Sequence, residues 1–379
     1  MSESTVPSTG HELRSTVTDD GRVTLAMREF DIADPGADEV VVRVGAAPIN
    51  PSDLGMLFAM ADLESSESAG TDDLPAVSAP LSERVLNAQR ARWGKPMPVG
   101  NEGGGTVVAA GSSDAAQALM NKVVGFLSGN AYATYRTVNV ASCLAMNDGT
   151  TPEQAAACFV NPLTALGMVE TKTAEGHTAL VHTVGASNLG QMLNRICLDD
   201  GVGLVNIVRK PEHVELLRAE GAEHVVDSSA DSFRDDLVAA LRATGATIAF
   251  DAIGGGELAS TLLSCMEQVA SEGDEFSRYG SDVHKQVYVY GGLDRGPTVL
   301  RRDFGMSWSL GGWLLTPFLG KLGASGAERL RQRVADEITT TFASSYGMRV
   351  TLPEAVDPEI VKRYAKMATG EKALVTPHG

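Results

Sequence analysis

The chain has 379 residues, which is long enough for two domains that each bury a core of their own. Its 31 basic and 48 acidic residues give a formal net charge of -17, which repels nucleic-acid phosphates and anionic membrane surfaces. The first residues lack a basic stretch followed by an apolar core, and no apolar run reaches the roughly 18 residues of a membrane span. We therefore expect a cytoplasmic protein without a signal peptide and with neither nucleic-acid nor membrane partners.

The four cysteines are scattered along the chain, without CxxC spacing or a disulfide framework. They are Cys143, Cys158, Cys197 and Cys265, and most of them lie in apolar surroundings. We expect small buried hydrophobic residues rather than redox or nucleophilic groups.

The first 60 residues predict a loosely ordered tail over residues 1–20, followed by strands over residues 22–27 and 39–46. The second strand, EVVVRVGA, is β-branched and alternating, which is typical of an antiparallel or barrel-like sheet. It leads into INPSD at residues 49–53, a turn and helix start whose polar side chains can cap free N–H groups.

Residues 58–94 are rich in Ser, Glu, Asp, Ala and Pro and predict a long excursion with a short helix at 81–92. Such a segment is either a lid over a substrate or a solvated insertion. The three glycines at 103–105 then indicate close backbone approach or a strained turn, before strands at 106–110, 122–126 and 131–138.

Thr151-Pro152-Glu153-Gln154 predicts a helix start, with Thr at the cap, Pro first and Gln at the capping-box position. A domain boundary near residue 150 follows. The helix is expected to continue through Asn161 and Thr164 to Glu170.

Residues 178–208 form a predicted βαβ unit. An apolar β-branched run at 178–184 breaks at Gly185-Ala186-Ser187-Asn188, a helix covers 189–198, and a second apolar run covers 203–208. A helix that starts after a buried strand directs the positive end of its dipole at the space above the turn, which suits a pyrophosphate. A dinucleotide is the expected ligand, although a plain strand-to-helix turn that binds nothing is the alternative, because only Gly185 and Gly190 remain of the usual three glycines.

The end of the second strand carries Arg209 and Lys210. In a dinucleotide-binding unit this position faces the adenosine ribose, where an acid accepts from two hydroxyls and a base meets a 2′-phosphate. The pair favours NADPH over NADH, the alternative being a solvated strand edge.

Strands and helices continue to alternate, which predicts a parallel, doubly wound sheet with ligands at the carboxyl ends of its strands. Three of these ends carry glycine, after Val184, Ile253 and Tyr290. The predicted elements are helices at 211–221 and 229–243 and strands at 224–227, 247–253 and 286–290.

Residues 309–315, SLGGWLL, predict an apolar strand at the sheet edge, which we expect to pair with its copy in a homodimer. An amphipathic helix is expected over 324–342. Residues 348–352 and 358–377 are expected to return to the first domain.

Six motifs together resemble the medium-chain dehydrogenase/reductase superfamily, and within it the zinc-free quinone oxidoreductase-like branch. The resemblance implies an α/β fold with a GroES-like β-barrel domain at 1–154 and 343–379 and a Rossmann domain at 155–342. The motifs are the βαβ unit, INPSD, GNEGGGTVVAAG (100–111), AAACFVNPLTALGMV (155–169), VYVYGG (287–292) and KALVTP (372–377).

Two departures from related families bear on the chemistry. The resemblance implies that a catalytic zinc needs a cysteine near Asn50 and a histidine before Glu102, and this chain has Asn101 in the histidine position. A structural zinc needs closely spaced cysteines, and none occur between Asp53 and Lys122. No metal is therefore expected. Enoyl thioester reductases place a tyrosine after the NPSD motif, and residues 50–130 contain none.

By resemblance, Asn50 and Thr164 lie beside the nicotinamide, and Asn50, Asp53 and Asn101 are candidates for orienting it or the substrate. For Asp53 and Asn101 the alternatives are a helix cap and a satisfied turn amide. The histidines His182 and His224 are expected to be packed or surface residues. The expected cofactor-binding residues are Asn50, Asn161, Thr164, Gly185, Ser187, Asn188, Leu189, Arg209, Lys210, Ile253, Tyr290, Gly291 and Gly292.

These features predict an NADPH-dependent oxidoreductase that transfers hydride to a quinone or to the activated double bond of an enone, without zinc. One alternative is a 2-enoyl thioester (enoyl-CoA) reductase. The other is a dinucleotide-binding protein with a structural role and no turnover.

Overall fold

The computed structural model describes residues 6–379, whose contacts divide the chain into two units. Unit 1 comprises Met1–Val160 with Arg331–Gly379, and unit 2 comprises Asn161–Leu330. The domain limits expected from the sequence, 154/155 and 342/343, remain a prediction.

Unit 1 is built mainly from strands, and strands from its two chain segments pair with each other. Its elements are β1 (Thr9–Val17), β2 (Arg22–Asp31), β3 (Glu39–Pro48), α1 (Pro51–Phe58), β4 (Glu67–Gly70), β5 (Pro75–Pro80), α2 (Glu83–Ala88), β6 (Met97–Pro98), β7 (Glu102–Ala110), α3 (Asp114–Gln117), β8 (Val123–Leu127), β9 (Tyr135–Asn139), β10 (Cys143–Ala145) and α4 (Pro152–Ala155). Short 3₁₀ turns cover Arg90–Arg92, Val140–Ser142 and Glu354–Val356.

Unit 2 alternates strands and helices, and two helices extend across the limits of the units. Those helices are α5 (Val160–Ala174) and α10 (Leu315–Glu337). The elements between them are β11 (Ala179–His182), α6 (Asn188–Asp199), β12 (Gly203–Val208), α7 (Pro211–Ala219), β13 (His224–Asp227), α8 (Phe233–Thr244), β14 (Ile248–Asp251), β15 (Gly254–Gly256), α9 (Leu258–Ala270), β16 (Lys285–Val289), β17 (Asp294–Thr298) and β18 (Trp308–Gly312). After α10 the chain adds β19 (Met348–Val350), α11 (Pro358–Ala365) and β20 (Ala373–Val375) to unit 1.

Two sheets form unit 1, one of five strands in the order β4-β5-β2-β1-β6 and one of seven that includes β10-β8-β7-β3-β20-β19, with β9 also paired to β3. Most pairs are antiparallel. The last strand returns to the first part of the chain, where Val375 pairs with Ala47 of β3. Apolar side chains from both sheets, among them Leu25, Val42 and Phe126, form one core.

The predicted disorder at 1–20 was wrong for the described part, because residues 9–17 form β1. Its side chains Glu12, Leu13 and Ser15 are all buried. The Glu12 carboxylate is tolerated there because it pairs with the guanidinium groups of Arg14 and Arg136. Residues 1–5 of the predicted tail lie outside the described residues.

The excursion at 58–94 is neither a lid nor a solvated insertion as a whole. Strand β5 pairs with β2 on one side and β4 on the other, and Val77 lies in the core. The short, proline-bounded strands gave no visible period in the sequence.

The three glycines at 103–105 lie inside β7, so the alternative of a strained turn was wrong. Close backbone approach is what they permit. A Cβ on Gly104 would lie 2.2 Å from the Pro152 carbonyl oxygen, and one on Gly105 would lie 2.3 Å from that of Arg43.

Unit 2 contains a parallel sheet in the order β13-β12-β11-β14-β16-β18. Strands β12 and β13 have the predicted limits, and β18 lies at the sheet edge as predicted. The glycines that were predicted to follow the strand at 247–253, Gly254–Gly256, themselves form β15, which pairs with β17. None of the helices within residues 6–379 combines the length and apolar character needed to cross a membrane.

Three predicted helices had the wrong limits. The continuous helix expected from 151 to 170 is two helices, α4 and α5, and the one expected from 229 begins at Phe233. The third begins earlier than expected, as α10 at Leu315, and is kinked at Gly323, where φ is 79°. The cysteines are free, with Cys143 half-buried and the others buried, as expected.

Candidate functional site

The INPSD motif forms the start of α1, with Asn50 as the N-cap and Pro51 in the first turn. The buried Asp53 carboxylate accepts from the backbone N–H of Asn50 through Oδ2 (2.8 Å) and from that of Asn101 through Oδ1 (2.9 Å). Asp53 therefore has the capping role that the sequence allowed as its alternative, and it also ties α1 to the loop before β7. Any role of Asp53 toward a substrate stays a prediction.

Glu102 is a buried acceptor of three hydrogen bonds, and no role was predicted for it from the sequence. Its Oε1 accepts from Asn50 Nδ2 at 2.8 Å, and its Oε2 accepts from the backbone N–H groups of Phe159 (2.8 Å) and Val160 (2.9 Å). An ionised carboxylate only accepts hydrogen bonds, so Asn50 presents its NH₂ group to Glu102. The Asn50 amide is thus held in one orientation. The sequence feature that could have indicated this role is an acidic residue within a glycine-rich apolar strand.

A buried lysine from the far end of the chain faces the same carboxylates. Lys372 Nζ is buried, has no hydrogen-bond partner among the described residues, and lies 5.7 Å from the centre of the Tyr346 ring. Burial lowers the pKa of Lys372 to about 8, against the attraction of Glu102 and Asp53. We call Asp53, Glu102 and Lys372 the buried charge cluster. Sequence reasoning noted KALVTP only as a motif and missed this lysine.

Burial also acts on the two acids of the buried charge cluster. It raises the pKa of Asp53 to about 7 and raises the pKa of Glu102, although the hydrogen bonds that each carboxylate accepts oppose the shift. The nearby Glu102 charge adds to the rise at Asp53, whereas Lys372 opposes the rise at Glu102.

Asn101 is partly exposed beside this cluster. Its side-chain Nδ2 donates to Ser52 Oγ at 3.3 Å, and its backbone carbonyl oxygen accepts from the backbone N–H of Ser128. Within residues 6–379, no group of three or more His, Cys, Asp or Glu side chains is arranged to hold a metal ion. Zinc independence remains a prediction.

In unit 2, the turn between β11 and α6 has the tight geometry expected of a dinucleotide turn. Ser187 caps the helix, with its Oγ accepting from Gly190 N–H at 3.1 Å. A Cβ on Gly190 would lie 2.2 Å from the Gly185 carbonyl oxygen, so the helix can pack this closely only with glycine there. Val184 adopts a left-handed φ of 57°, which explains why the strand ends at His182 rather than at residue 184.

Arg209 and Lys210 follow β12 and are both exposed. Lys210 Nζ lies 3.6 Å from the Glu212 carboxylate, and Lys210 is also the N-cap of α7. Arg209 is therefore the better placed of the two for an added anion, because part of the Lys210 charge is already offset.

The carboxyl ends of β11, β14 and β16 carry a buried polar layer. Asp251 accepts from the backbone N–H groups of Ile253 (2.8 Å) and Gly254 (3.1 Å) and from the Thr183 hydroxyl (3.1 Å). Thr183 in turn accepts from the backbone N–H of Ala252 at 2.8 Å. These bonds fix the loop that follows β14. Neither Thr183 nor Asp251 was singled out from the sequence.

The structure groups most of the predicted residues by unit. Unit 1 brings Asn50, Asp53 and Asn101 together. In unit 2, Asn161 and Thr164 lie buried on the first turns of α5, and Leu189 lies buried on α6. The remaining predicted cofactor residues of unit 2 lie at the carboxyl ends of its strands: Gly185, Ser187, Asn188, Arg209, Lys210, Ile253, Tyr290, Gly291 and Gly292.

The parallel sheet of unit 2 with this turn fits a Rossmann domain, and the mainly antiparallel strands of unit 1 fit a GroES-like domain. The chain is 27% identical over 208 residues to the mitochondrial enoyl-[acyl-carrier-protein] reductase of Xenopus tropicalis, covering 53% of this chain and 51% of that protein. The chain thus spans about half the length of the curated relatives it matches. No protein-family model matches the chain.

Solved structures match nearly the whole chain. A proposed NADPH:quinone reductase of Mesorhizobium loti has a TM-score of 0.72 at 24% identity, covering 98% of this chain and 100% of that one. The Etr1p–NADP–crotonyl-CoA complex has a TM-score of 0.69 at 18% identity, covering 97% and 99%. These relatives and neighbours are quinone oxidoreductase-like and enoyl reductase members of the medium-chain dehydrogenase/reductase superfamily, which confirms the predicted resemblance and fold class.

Proposed function

We propose that the protein is an NADPH-dependent oxidoreductase that transfers hydride to an electron-poor acceptor, either a quinone or an enone, without zinc. The observation that carries the proposal is the close-packed Gly185–Gly190 turn at the N-terminus of α6, with exposed Arg209 at the end of the neighbouring strand. Proteins of similar structure support it, since they include a proposed NADPH:quinone reductase and Etr1p in complex with NADP and crotonyl-CoA.

The cofactor supplies the hydride when it is bound, and the protein binds and orients it. We propose that Gly185, Ser187, Asn188 and Leu189 surround the pyrophosphate and that Arg209, with Lys210, binds the 2′-phosphate. The proposed nicotinamide-side residues are Asn50, Asn161, Thr164, Ile253, Tyr290, Gly291 and Gly292.

Asn50 has the best-defined geometry of the proposed nicotinamide-side residues. Its NH₂ group is engaged by Glu102 at 2.8 Å, so its amide cannot rotate freely. We propose that this fixed amide, with Asp53 and Asn101 beside it, orients the nicotinamide or the acceptor. A side chain held in one orientation favours the reaction because it restricts the bound nicotinamide or acceptor to fewer orientations.

The test of the proposed function is consumption of NADPH by the purified protein with 1,2-naphthoquinone, 9,10-phenanthrenequinone, an enone and a 2-enoyl-CoA. Turnover with the quinones or the enone is expected. NADPH binding without turnover of any acceptor would instead assign the protein to the non-catalytic dinucleotide binders.

Cofactor choice is tested by Arg209→Asp, with Arg218→Asp as the control because Arg218 is an exposed arginine in the last turn of α7. Loss of a charge-assisted bond and addition of a repelling charge should raise the KM for NADPH about 10-fold to 100-fold. The KM for NADH should change little, and the control should behave as the wild type. Unchanged NADPH affinity in Arg209→Asp would place ribose recognition elsewhere.

The second candidate function is 2-enoyl thioester reduction, which the enoyl reductase relative favours. Tyr132 and Tyr364 of unit 1 are not free to act as proton donors for it, because they donate their hydroxyl protons to the carbonyl oxygens of Pro48 and Ala355. A kcat/KM for 2-enoyl-CoA above those for the quinones and the enone would make this the better assignment.

We further propose a small-molecule substrate, a cytoplasmic location and a homodimer formed through β18. Metal analysis of active protein tests zinc independence, and stoichiometric zinc that is lost together with activity would overturn it.

A further inference from the structure

His182 and Tyr290 form a hydrogen-bonded pair in the sheet of unit 2. His182 is the last residue of β11, and Tyr290 follows β16, with β14 between the two strands. His182 Nε2 lies 2.7 Å from the Tyr290 hydroxyl, and the two rings are stacked with centroids 5.8 Å apart. The contact therefore joins the carboxyl ends of two strands that are not neighbours.

The histidine of this pair is a fixed neutral group. It is fully buried, its Nδ1 has no partner among the described residues, and burial lowers the pKa of His182 to about 3. Burial also raises the pKa of the Tyr290 phenol, with the Asp251 charge adding to the rise. Neither group changes charge in the neutral range, so the pair supplies a constant bond and not a proton.

The backbone that follows Tyr290 is confined. Tyr290 N–H donates to the Asp251 carbonyl oxygen at 2.9 Å, and Leu293 N–H donates to that of Ala252 at 3.2 Å. A Cβ on Gly291 would lie 2.6 Å from the Ala252 carbonyl oxygen, so the chain runs directly against the loop after β14. Gly291 and Gly292 themselves are exposed. Tyr290 is thus a half-buried residue, anchored by His182, immediately before two exposed glycines.

We propose that His182 is a positioning residue for the cofactor: it fixes the Tyr290 ring and, through it, the Gly291–Gly292 backbone. This inference rests on the proposed function, which puts these glycines beside the nicotinamide. A purely packing role would be better served by an apolar residue, because a buried ring nitrogen without a partner lowers stability. The His182–Tyr290 pair lies at the strand ends where the cofactor is proposed to bind.

The experiment compares Tyr290→Phe and His182→Phe with Tyr288→Phe, a matched control whose hydroxyl donates to Glu175 at the surface (2.6 Å). NADPH binding is measured directly by fluorescence, at a temperature where circular dichroism shows every variant folded. We expect the Kd and KM for NADPH to rise about tenfold in Tyr290→Phe and His182→Phe, as for the loss of one buried hydrogen bond. Because the positioned backbone is proposed to lie beside the nicotinamide, the kcat at saturating NADPH should fall as well, whereas Tyr288→Phe should match the wild type in Kd, KM and kcat.

The double variant His182→Phe with Tyr290→Phe separates positioning from packing. Removing both polar partners should restore the melting temperature towards that of the wild type, but NADPH affinity should stay low. If the variants bind NADPH as the wild type does, whatever their melting temperatures, the positioning role is overturned while the proposed function stands. If the wild-type protein does not bind NADPH, both fall together.

Discussion

Among single residues, Asp53 combines a structural role with an unusual pKa. Its carboxylate holds two backbone N–H groups, yet burial raises its pKa to about 7. In an unfolded chain an aspartate titrates near 3.9, so between about pH 4 and 7 the folded protein holds a proton that the unfolded protein releases. The contribution of Asp53 to stability is therefore largest at low pH and falls as the pH rises through 7.

This sign gives a prediction for Asp53→Asn, which cannot ionise. The melting temperature of the wild type relative to that of the variant should fall between pH 5 and pH 8. His182 has the opposite tendency, since its folded pKa of about 3 lies below the unfolded value, but it is present in both proteins and cancels. Thermal unfolding at pH 5, 6.5 and 8 measures the difference, and a constant difference would contradict the raised pKa.

Val184 is a second residue with a measurable consequence. Its φ of 57° is costly for a β-branched side chain, and glycine adopts this conformation without strain. We expect Val184→Gly to change the free energy of unfolding by less than about 1 kcal/mol, because relief of strain offsets the added entropy of the unfolded chain.

Val181→Gly is the control for Val184→Gly, because Val181 is fully buried in the preceding strand β11 and its loss should cost about 3 kcal/mol or more. Urea unfolding compares the two variants. Equal losses would show that the turn at Val184 is not strained.

At the scale of elements, the contact between β7 and α4 depends on Gly104. A methyl group there would meet the Pro152 carbonyl oxygen at 2.2 Å and the Ala156 nitrogen at 2.7 Å, and both are backbone atoms. We expect Gly104→Ala to destabilise the protein by roughly 2 kcal/mol or more.

The control for Gly104→Ala is Gly320→Ala in α10, where a methyl group meets nothing within 4 Å. It should raise stability by up to about 1 kcal/mol through helix propensity. Chemical denaturation of both variants is the measurement, and a neutral Gly104→Ala would mean that α4 shifts freely.

The elements also show what the sequence could and could not predict. Strand β12 was predicted with its limits because a parallel strand buried on both faces is a nearly continuous apolar run. Strand β1 was missed because its buried Glu12 is paired with Arg136, a partner far away in the chain. Polar burial of this kind depends on tertiary contacts that no local pattern contains.

The same distinction between local sequence patterns and tertiary contacts applies to the candidate site. Capping by Asp53 and the turn at Gly185 were predictable, since both depend on neighbours in sequence. Glu102 and Lys372 meet only after the last strand has joined the first ones, so their proximity could not be predicted. The same is true of His182 and Tyr290, which two strands bring together.

For the whole molecule, the homodimer proposed through the edge strand β18 would have a specific geometry. Antiparallel pairing of two copies about a two-fold axis at Leu310 would put Met306 of one copy opposite Leu314 of the other. These side chains are 73% and 64% exposed, more than is usual for large apolar residues. A second copy would cover both.

A charge exchange tests this register. Met306→Glu with Leu314→Glu puts like charges opposite each other and should give monomers, whereas Met306→Lys with Leu314→Glu puts opposite charges together and should keep the dimer. Light scattering at micromolar concentration reports the mass. A monomeric wild type would refute the dimer, and equal behaviour of the two double variants would refute the register.

The return of the chain to unit 1 also has a consequence for synthesis on the ribosome. The chain leaves unit 1 after Val160 and comes back only at Arg331, and β20, the neighbour of β3, is made after the whole of unit 2. Unit 2 is one continuous segment and can fold as soon as it emerges. Strand β3 must wait for β20 through the translation of all of unit 2, so the nascent chain carries an unfinished sheet edge throughout that time.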